Sequence, residues 1–225
     1  MAILYIVSTP IGNLEDISRR ALRILSEVDL ILCEDTRVTK KLLDHYQIKT
    51  PTLSYHQHSK IQKIDYIINL LKQGKELALV SDAGTPGISD PGNKLVKEII
   101  GSLSHQAEIV SIPGPSAVTA AASVSGFPTD KFLFLGFPPT KKKRKKFFEE
   151  IINSKYPVIF YESTYRIIKS LEELRIMNQE LEIVVCRELT KKFETIYRGN
   201  IKDVIEEIKK DKIKGEFVVV IKGKK

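Results

Sequence analysis

The stretch SDAGTPGISDPG, Ser81 to Gly92, directly follows the apolar run ELALV and concentrates the residues best able to do chemistry. Gly87 and Gly92 are separated by four residues, the glycine frame of a phosphate-binding loop. Such a loop then needs Lys followed by Ser or Thr, for the β/γ-phosphates and Mg²⁺; here Asn93 and Lys94 follow. The loop also carries two carboxylates, Asp82 and Asp90, and no basic residue, so its own field repels phosphate and favours a neutral or cationic ligand. Gly84, Gly87 and Gly114 would let backbone groups approach that ligand closely, and Pro86, Pro113 and Pro115 set the turns around them. Carbonyl oxygens beside carboxylates suit a sulfonium, whose positive charge is lost when its methyl group is transferred.

Other chemistries find less support. The chain has no GxSxG, and neither of its two cysteines, Cys33 and Cys186, sits in an activating context or in a CxxC pair. Both end apolar runs, where a buried free thiol is expected, consistent with a reducing cytoplasm. His56 and His58 would share a strand face but lack a third ligand, so they read as polar side chains or substrate contacts. STPIGNLED after the first apolar run does not supply the GxGxxG of a dinucleotide fold. The run Lys141, Lys142, Lys143, Arg144, Lys145, Lys146 precedes Phe147 and Phe148. Such uninterrupted like charges repel one another, which favours a phosphate-contacting arm for RNA over the exposed start of a helix.

Positioning these residues falls to alternating strands and helices. With 225 residues, 42% hydrophobic and 28% charged, the chain is an ordinary globular one. Its net charge of +8 favours polyanionic partners. The apolar start MAILYIVSTPIGN lacks a basic flank and a cleavage site and reads as a first strand, and no stretch is long enough to span a membrane. AILYIV, LILC, ELALV and EIVSI read as strands. Helices are expected from Ile17 with Asp16 as N-cap, over Val38 to Tyr46, from Ser59 to a capping Gly74, and around Lys94 to Ile100. That alternation predicts an α/β fold with a mostly parallel, doubly wound sheet. STPIGN, CEDTR, SDAGTPG and SIPGPSA each follow a strand, so four loops should meet at one sheet edge, where such sheets bind ligands. The second half begins with a small-residue helix, Ser116 to Ser125, followed by FLFLGFPP and the basic run. VIFYES, a helix through Arg166 to Leu174, EIVVCREL, FETIYRG, a helix from Ile201 to Lys210 and EFVVVI complete it. FETIYRG lies close to EIVVCREL, which predicts an antiparallel hairpin and a mixed sheet. The expected domains are residues 1–113 and 114–225.

STPIGNLEDIS, CEDTR, SDAGTPGISDPG, SIPGPSA, GFP, FYES, CREL and GEFVVV, in this order, resemble the ribosomal RNA small-subunit methyltransferase I group of the tetrapyrrole methylase superfamily. The resemblance covers essentially the whole chain. It implies a two-domain class III methyltransferase fold with S-adenosylmethionine in the cleft between the domains, and a cytoplasmic homodimer. It also implies methylation of the ribose 2′-hydroxyl of a cytidine, position 1402, in the 16S rRNA of the small ribosomal subunit. Carried over by motif, the donor site would use Pro10, Ala83, Gly84, Thr85, Pro86, Ser116 and Ala117, with Tyr161, Cys186, Gly215 and Glu216 from the second domain. Asp35, Asp16 and Asp82 are candidate bases for the hydroxyl proton, and Arg37 a partner for a phosphate or carboxylate. A local ion-pair network among Glu34, Asp35 and Arg37 is an equal alternative. Thr164 and Tyr165 stand where the group more often shows Pro and His, so contacts there should differ. The chain also ends soon after GEFVVV, without the small C-terminal extension of many members, which leaves RNA contact to the basic run. A porphyrin or corrin methylase and a non-catalytic RNA-binding assembly protein are the competing functions.

Overall fold

Near-continuous burial of the inner apolar runs, LILC and LAL, decides how the first half is built. In the computed structural model, which describes residues 1–56, 61–103 and 106–224, five strands alternate with four helices in this half. They are β1 (Ala2–Val7), α1 (Arg19–Glu27), β2 (Leu30–Cys33), α2 (Thr36–His45), β3 (Thr52–Ser54), α3 (Ile61–Lys72), β4 (Leu77–Leu79), α4 (Asn93–Leu103) and β5 (Ala107–Ile112). All pairings are parallel, in the order β3-β2-β4-β1-β5. Leu4, Leu32, Leu77 and Leu79 pack against Ile64, Ile67, Leu95 and Ile99 of α3 and α4. The alternate residues Val7, Ile31, Ala78 and Val80 pack against Ala21, Leu25, Leu42 and Leu43 of α1 and α2. Helices therefore cover both faces, the doubly wound arrangement expected of continuous apolar strands. Gly74 takes φ +82° just beyond α3 and its N–H bonds Leu71 O at 2.9 Å, the glycine cap that the sequence suggests.

The second half joins α5 (Ala117–Ser125), β6 (Leu133–Phe134), α6 (Arg144–Asn153), β7 (Val158–Ser163), α7 (Ile167–Met177), β8 (Glu182–Arg187), β9 (Thr195–Asn200), α8 (Ile201–Lys210) and β10 (Glu216–Ile221). Its sheet runs β6-β7-β10-β8-β9. Only β6 and β7 among its neighbours pair in parallel, and β8 and β9 form the expected antiparallel hairpin. Phe148, Leu171, Leu174, Val204 and Ile208 from α6, α7 and α8 bury against Phe160, Val185 and Val219. Each such side chain removed from water is worth about 1.5–3 kcal/mol.

One expectation needs correction, and two short strands go beyond the sequence reading. Helix α1 does not begin at Ile17 with Asp16 as its cap: residues Leu14–Asp16 form a separate 3₁₀ turn, and the Ser18 hydroxyl caps α1 by accepting the Ala21 N–H at 3.1 Å. FLFLGFPP yields only the two-residue β6, because Gly136 turns to φ +65° and prolines follow. The three-residue β3 is too short to announce itself by periodicity. The expected helix start at Ser59, and His58, lie outside the described residues. The chain divides into compact units Met1–Ser116 and Ala117–Lys225, a boundary after Ser116 where the motifs put it after Pro113.

Candidate functional site

Because the first sheet is wholly parallel, the loops after β1, β2, β4 and β5 open on one edge, and hydrogen bonds lash them together. The loops after β1 and β4 form an antiparallel bridge: Thr9 N–H donates to Gly84 O at 2.9 Å and Gly84 N–H to Thr9 O at 3.1 Å. Side chains repeat the link, with Ser8 Oγ 2.9 Å from Thr85 Oγ1 and Thr9 Oγ1 donating to Ser81 O at 3.1 Å. Thr85 Oγ1 then donates to Pro115 O at 3.3 Å, which brings in the loop after β5. Gly114 permits that approach, since a Cβ there would lie 2.9 Å from Ser8 Cβ. Asp82 ties in the fourth loop by accepting the Asp35 N–H at 3.0 Å. Pro10, Gly84 and Pro86 are buried in this knot, whereas Asp82 and Ala83 are exposed on it and Thr85 and Ser116 are half-buried.

The charges on this edge differ in character. Asp35 caps α2 by accepting the Arg37 N–H at 2.8 Å and holds the Arg37 guanidinium at 2.6 Å. The guanidinium, helped by that N–H, holds the Asp35 carboxyl down at about 2, so it is ionised and a poor proton acceptor. Glu34 and Asp90 behave oppositely. Burial, and then the charge of Asp82, raise Glu34. Burial, and then the charges of Glu34 and Asp82 against an opposing hydrogen bond from Ser81, push Asp90 up to about 6. Glu34, Asp82 and Asp90 thus join the ion-paired Asp35 on one edge, beside a loop that contains no cation. Asp16, at the end of its 3₁₀ turn, is exposed.

In the second unit the motif-derived residues gather where β7, β8 and β10 meet. Tyr161 on β7 pairs with Val218, and its ring stands edge-on to Phe134 at 5.0 Å and Phe137 at 5.3 Å. Cys186, in β8, is fully buried between Val218 and Ile196, and burial pushes its thiol up to about 11, so it offers packing and backbone and not a nucleophile. Gly215 has φ +99°, and a side chain there would run into Glu188. Glu216 N–H donates to Glu188 Oε1 at 2.9 Å, while its carboxylate meets Lys191 at 2.9 Å. Ala117 opens α5.

The basic run divides. Lys141, Lys142, Lys143, Lys145 and Lys146 are exposed, but Arg144 is 8% exposed and does not belong with them as an RNA contact. Its guanidinium donates to Glu173 at 2.9 Å, Ser170 Oγ at 2.8 Å and Pro139 O at 3.1 Å, and lies 4.8 Å over the Phe148 ring. A buried guanidinium needs such partners for its donors, and helix α6 points this one inward.

A family model described as Tetrapyrrole (Corrin/Porphyrin) Methylases matches residues 3–205. The chain is 45% identical over 224 residues to the ribosomal RNA small subunit methyltransferase I of Thermotoga maritima, covering 100% of both chains. It is 48% identical over 227 residues to the protein of that name from Vibrio cholerae, covering 98% of this chain and 77% of the relative. The chain belongs to the tetrapyrrole methylase family, in its small-subunit rRNA methyltransferase I group. Solved structures show the same fold. Diphthine synthase matches with a TM-score of 0.74 at 14% identity, covering 100% of this chain and 90% of that one. The methyltransferase CobJ matches with 0.69 at 18%, covering 99% and 93%.

As a methyltransferase of this family, the chain carries two site features that its sequence hid. Asp90 was legible as an acid in the loop but not as a carboxyl pushed up to about 6, because that depends on burial and then on Glu34 arriving from another strand. The role of Asp82 as a strut between loops depends likewise on register, with β2 and β4 adjacent.

Proposed function

We propose that this chain uses S-adenosylmethionine to methylate the ribose 2′-hydroxyl of a cytidine, position 1402, in 16S rRNA of the small ribosomal subunit. Full-length similarity to relatives named for methylating small-subunit rRNA carries the reading. The residues present suit the donor: a glycine-bearing cradle with Glu34, Asp82 and Asp90 close by favours a sulfonium over a phosphate. When bound, that donor supplies an electrophilic methyl group. Pro10, Ala83, Gly84, Thr85, Pro86 and Ser116 would hold it in the first unit, and Ala117, Tyr161, Cys186, Gly215 and Glu216 are the second unit's candidates.

The chain's own task is alignment, which can supply much of the rate when the 2′-oxygen faces the methyl in line with the leaving sulfur. Of the acids here, Asp90 is best matched to accept the hydroxyl proton near neutral pH, and Asp35 worst. Asp82 and Arg37 then serve the scaffold, through the Asp35 N–H and the Asp35 carboxylate. The exposed lysines 141–143, 145 and 146 would meet RNA phosphates. A cytoplasmic homodimer belongs to the same proposal; among the described residues no helix is long and apolar enough to cross a membrane.

The test is transfer of labelled methyl from S-adenosylmethionine to small ribosomal subunits from cells lacking the gene, with the modified ribose mapped by mass spectrometry. One new 2′-O-methylcytidine is expected. Transfer to a precorrin but not to subunits, or no donor binding by calorimetry, would overturn the reading.

A further inference from the structure

Among the described residues the exposed aromatics are Tyr66, Phe137, Tyr156, Tyr165 and Phe193, and three of these share one edge of the second sheet. Strands β6 and β7 run in parallel, and β8 runs the same way because both β7 and β8 are antiparallel to β10. The loops that follow them therefore open on the same side. They carry Phe137 at 52% exposure, Tyr165 at 96% and Phe193 at 65%. Single exposed apolar residues are common and need no explanation, but here lysines accompany them. Lys141, Lys142 and Lys143 follow Phe137 on its loop, and Lys192 stands 5.7 Å over the Phe193 ring. The acids of this edge are engaged: Glu188 and Glu216 both meet Lys191, and Glu194 accepts the Thr190 N–H.

The Phe137 loop is also held rigid. Arg166 donates to Pro138 O and Arg144 to Pro139 O, each at 3.1 Å. Both arginines are anchored through Glu162, whose side chain is fully buried. Arg166 pairs with it at 2.9 Å, and Ser170 bridges from Glu162 to Arg144. Arg166 and Arg144, the latter from the basic run itself, thus shape the loop, and the Phe137 ring is braced edge-on by Tyr161. A preorganised loop loses less freedom on binding.

We propose that this edge, with Phe137, Tyr165 and Phe193 as stacking faces and Lys141, Lys142, Lys143 and Lys192 as phosphate contacts, binds single-stranded RNA. The inference rests on the rRNA reading above and gives it a docking surface. Unpaired bases offer faces to stack on aromatic rings, whereas a duplex hides them. Three strand spacings separate β6 from β8, roughly 14 Å, a span that a few nucleotides of unpaired strand can follow.

Fluorescence anisotropy with a labelled unstructured 12-mer and a matched hairpin tests it, using Phe137→Ala, Tyr165→Ala, Phe193→Ala and the triple Lys141→Gln/Lys142→Gln/Lys143→Gln. Each aromatic substitution should weaken binding of the unpaired strand about 5-fold or more without changing the salt slope, since stacking carries the loss. The lysine triple should reduce that slope by about 2, at roughly 0.7 per phosphate contact. Equal affinity for strand and hairpin, or wild-type affinity in all three aromatic variants, would refute the edge as a stacking surface. A change of mass by light scattering in the aromatic variants would instead make it an interface between copies. Methyl transfer to subunits is followed in parallel. If the wild type transfers and the aromatic variants keep its KM, the edge fails and the methylation reading stands. If the wild type transfers nothing while the oligonucleotide results hold, the methylation reading fails and the edge stands.

Discussion

Replacing Arg144 by Ala should damage the fold and not, in the first place, the affinity for RNA. The guanidinium is 8% exposed and satisfies Glu173, Ser170 and Pro139 O while stacking on Phe148. Truncation leaves two neutral acceptors unpaired, worth about 1 kcal/mol each. It also strips the partner from Glu173, whose side chain is 31% exposed, so that part is discounted toward another ~1 kcal/mol. The sum, on the order of 3 kcal/mol, corresponds to a drop in Tm of about 6–12 °C for a chain of this size. Arg144→Lys keeps the charge but not the planar fork and should fall between. Lys142→Ala, on the exposed part of the same run, should stay within about 0.5 kcal/mol of wild type. Differential scanning calorimetry of the three variants, with RNA titrations at matched folded fractions, decides the matter. An Arg144→Ala protein that melts like wild type and loses RNA affinity as Lys142→Ala does would refute the reasoning.

Gly114→Ala would place a Cβ 2.9 Å from Ser8 Cβ, forcing the loops after β1 and β5 apart at a cost of about 1–3 kcal/mol and weakening S-adenosylmethionine binding in calorimetry. Asp90→Asn should raise stability at pH 8 by about 2 kcal/mol, after discounting for partial exposure, with the gain shrinking as pH falls and gone below about pH 3. The sign follows from linkage: Asp90 is held at about 6 against an ordinary 3.8, so the folded state binds the proton more tightly and stability falls as pH rises through that window. Thermal melts across pH check this. Ser18→Ala should cost about 1 kcal/mol through the lost cap of α1, whereas Asp16→Ala should be silent in urea denaturation.

Much of this protein was legible in one dimension. Continuous apolar runs separated by amphipathic segments were enough to call a doubly wound parallel sheet, since strands covered on both faces cannot alternate with polar residues. The loops after those runs announced themselves by glycine, proline and acid content, and their order along the chain carried the family. The lysine-rich run was equally plain. What composition could not reveal was direction. Arg144 differs from its neighbours only because the first turn of α6 aims it inward at Glu173 and Ser170.

The remaining decisions belong to strand order. Asp82 braces Asp35 because β4 lies beside β2, although β3 and two helices separate them in sequence. Burial, and after it the charge of Glu34 brought close by the same adjacency, raises Asp90. The three exposed aromatics come together because β6, β7 and β8 point one way, a fact set by pairing with β10 at the far end of the chain. Sequence determined which residues line each loop, because local propensity and periodicity act between near neighbours. Which loops meet, and therefore which charges and rings act on one another, was decided by tertiary pairing, because electrostatics and stacking depend on distance in space.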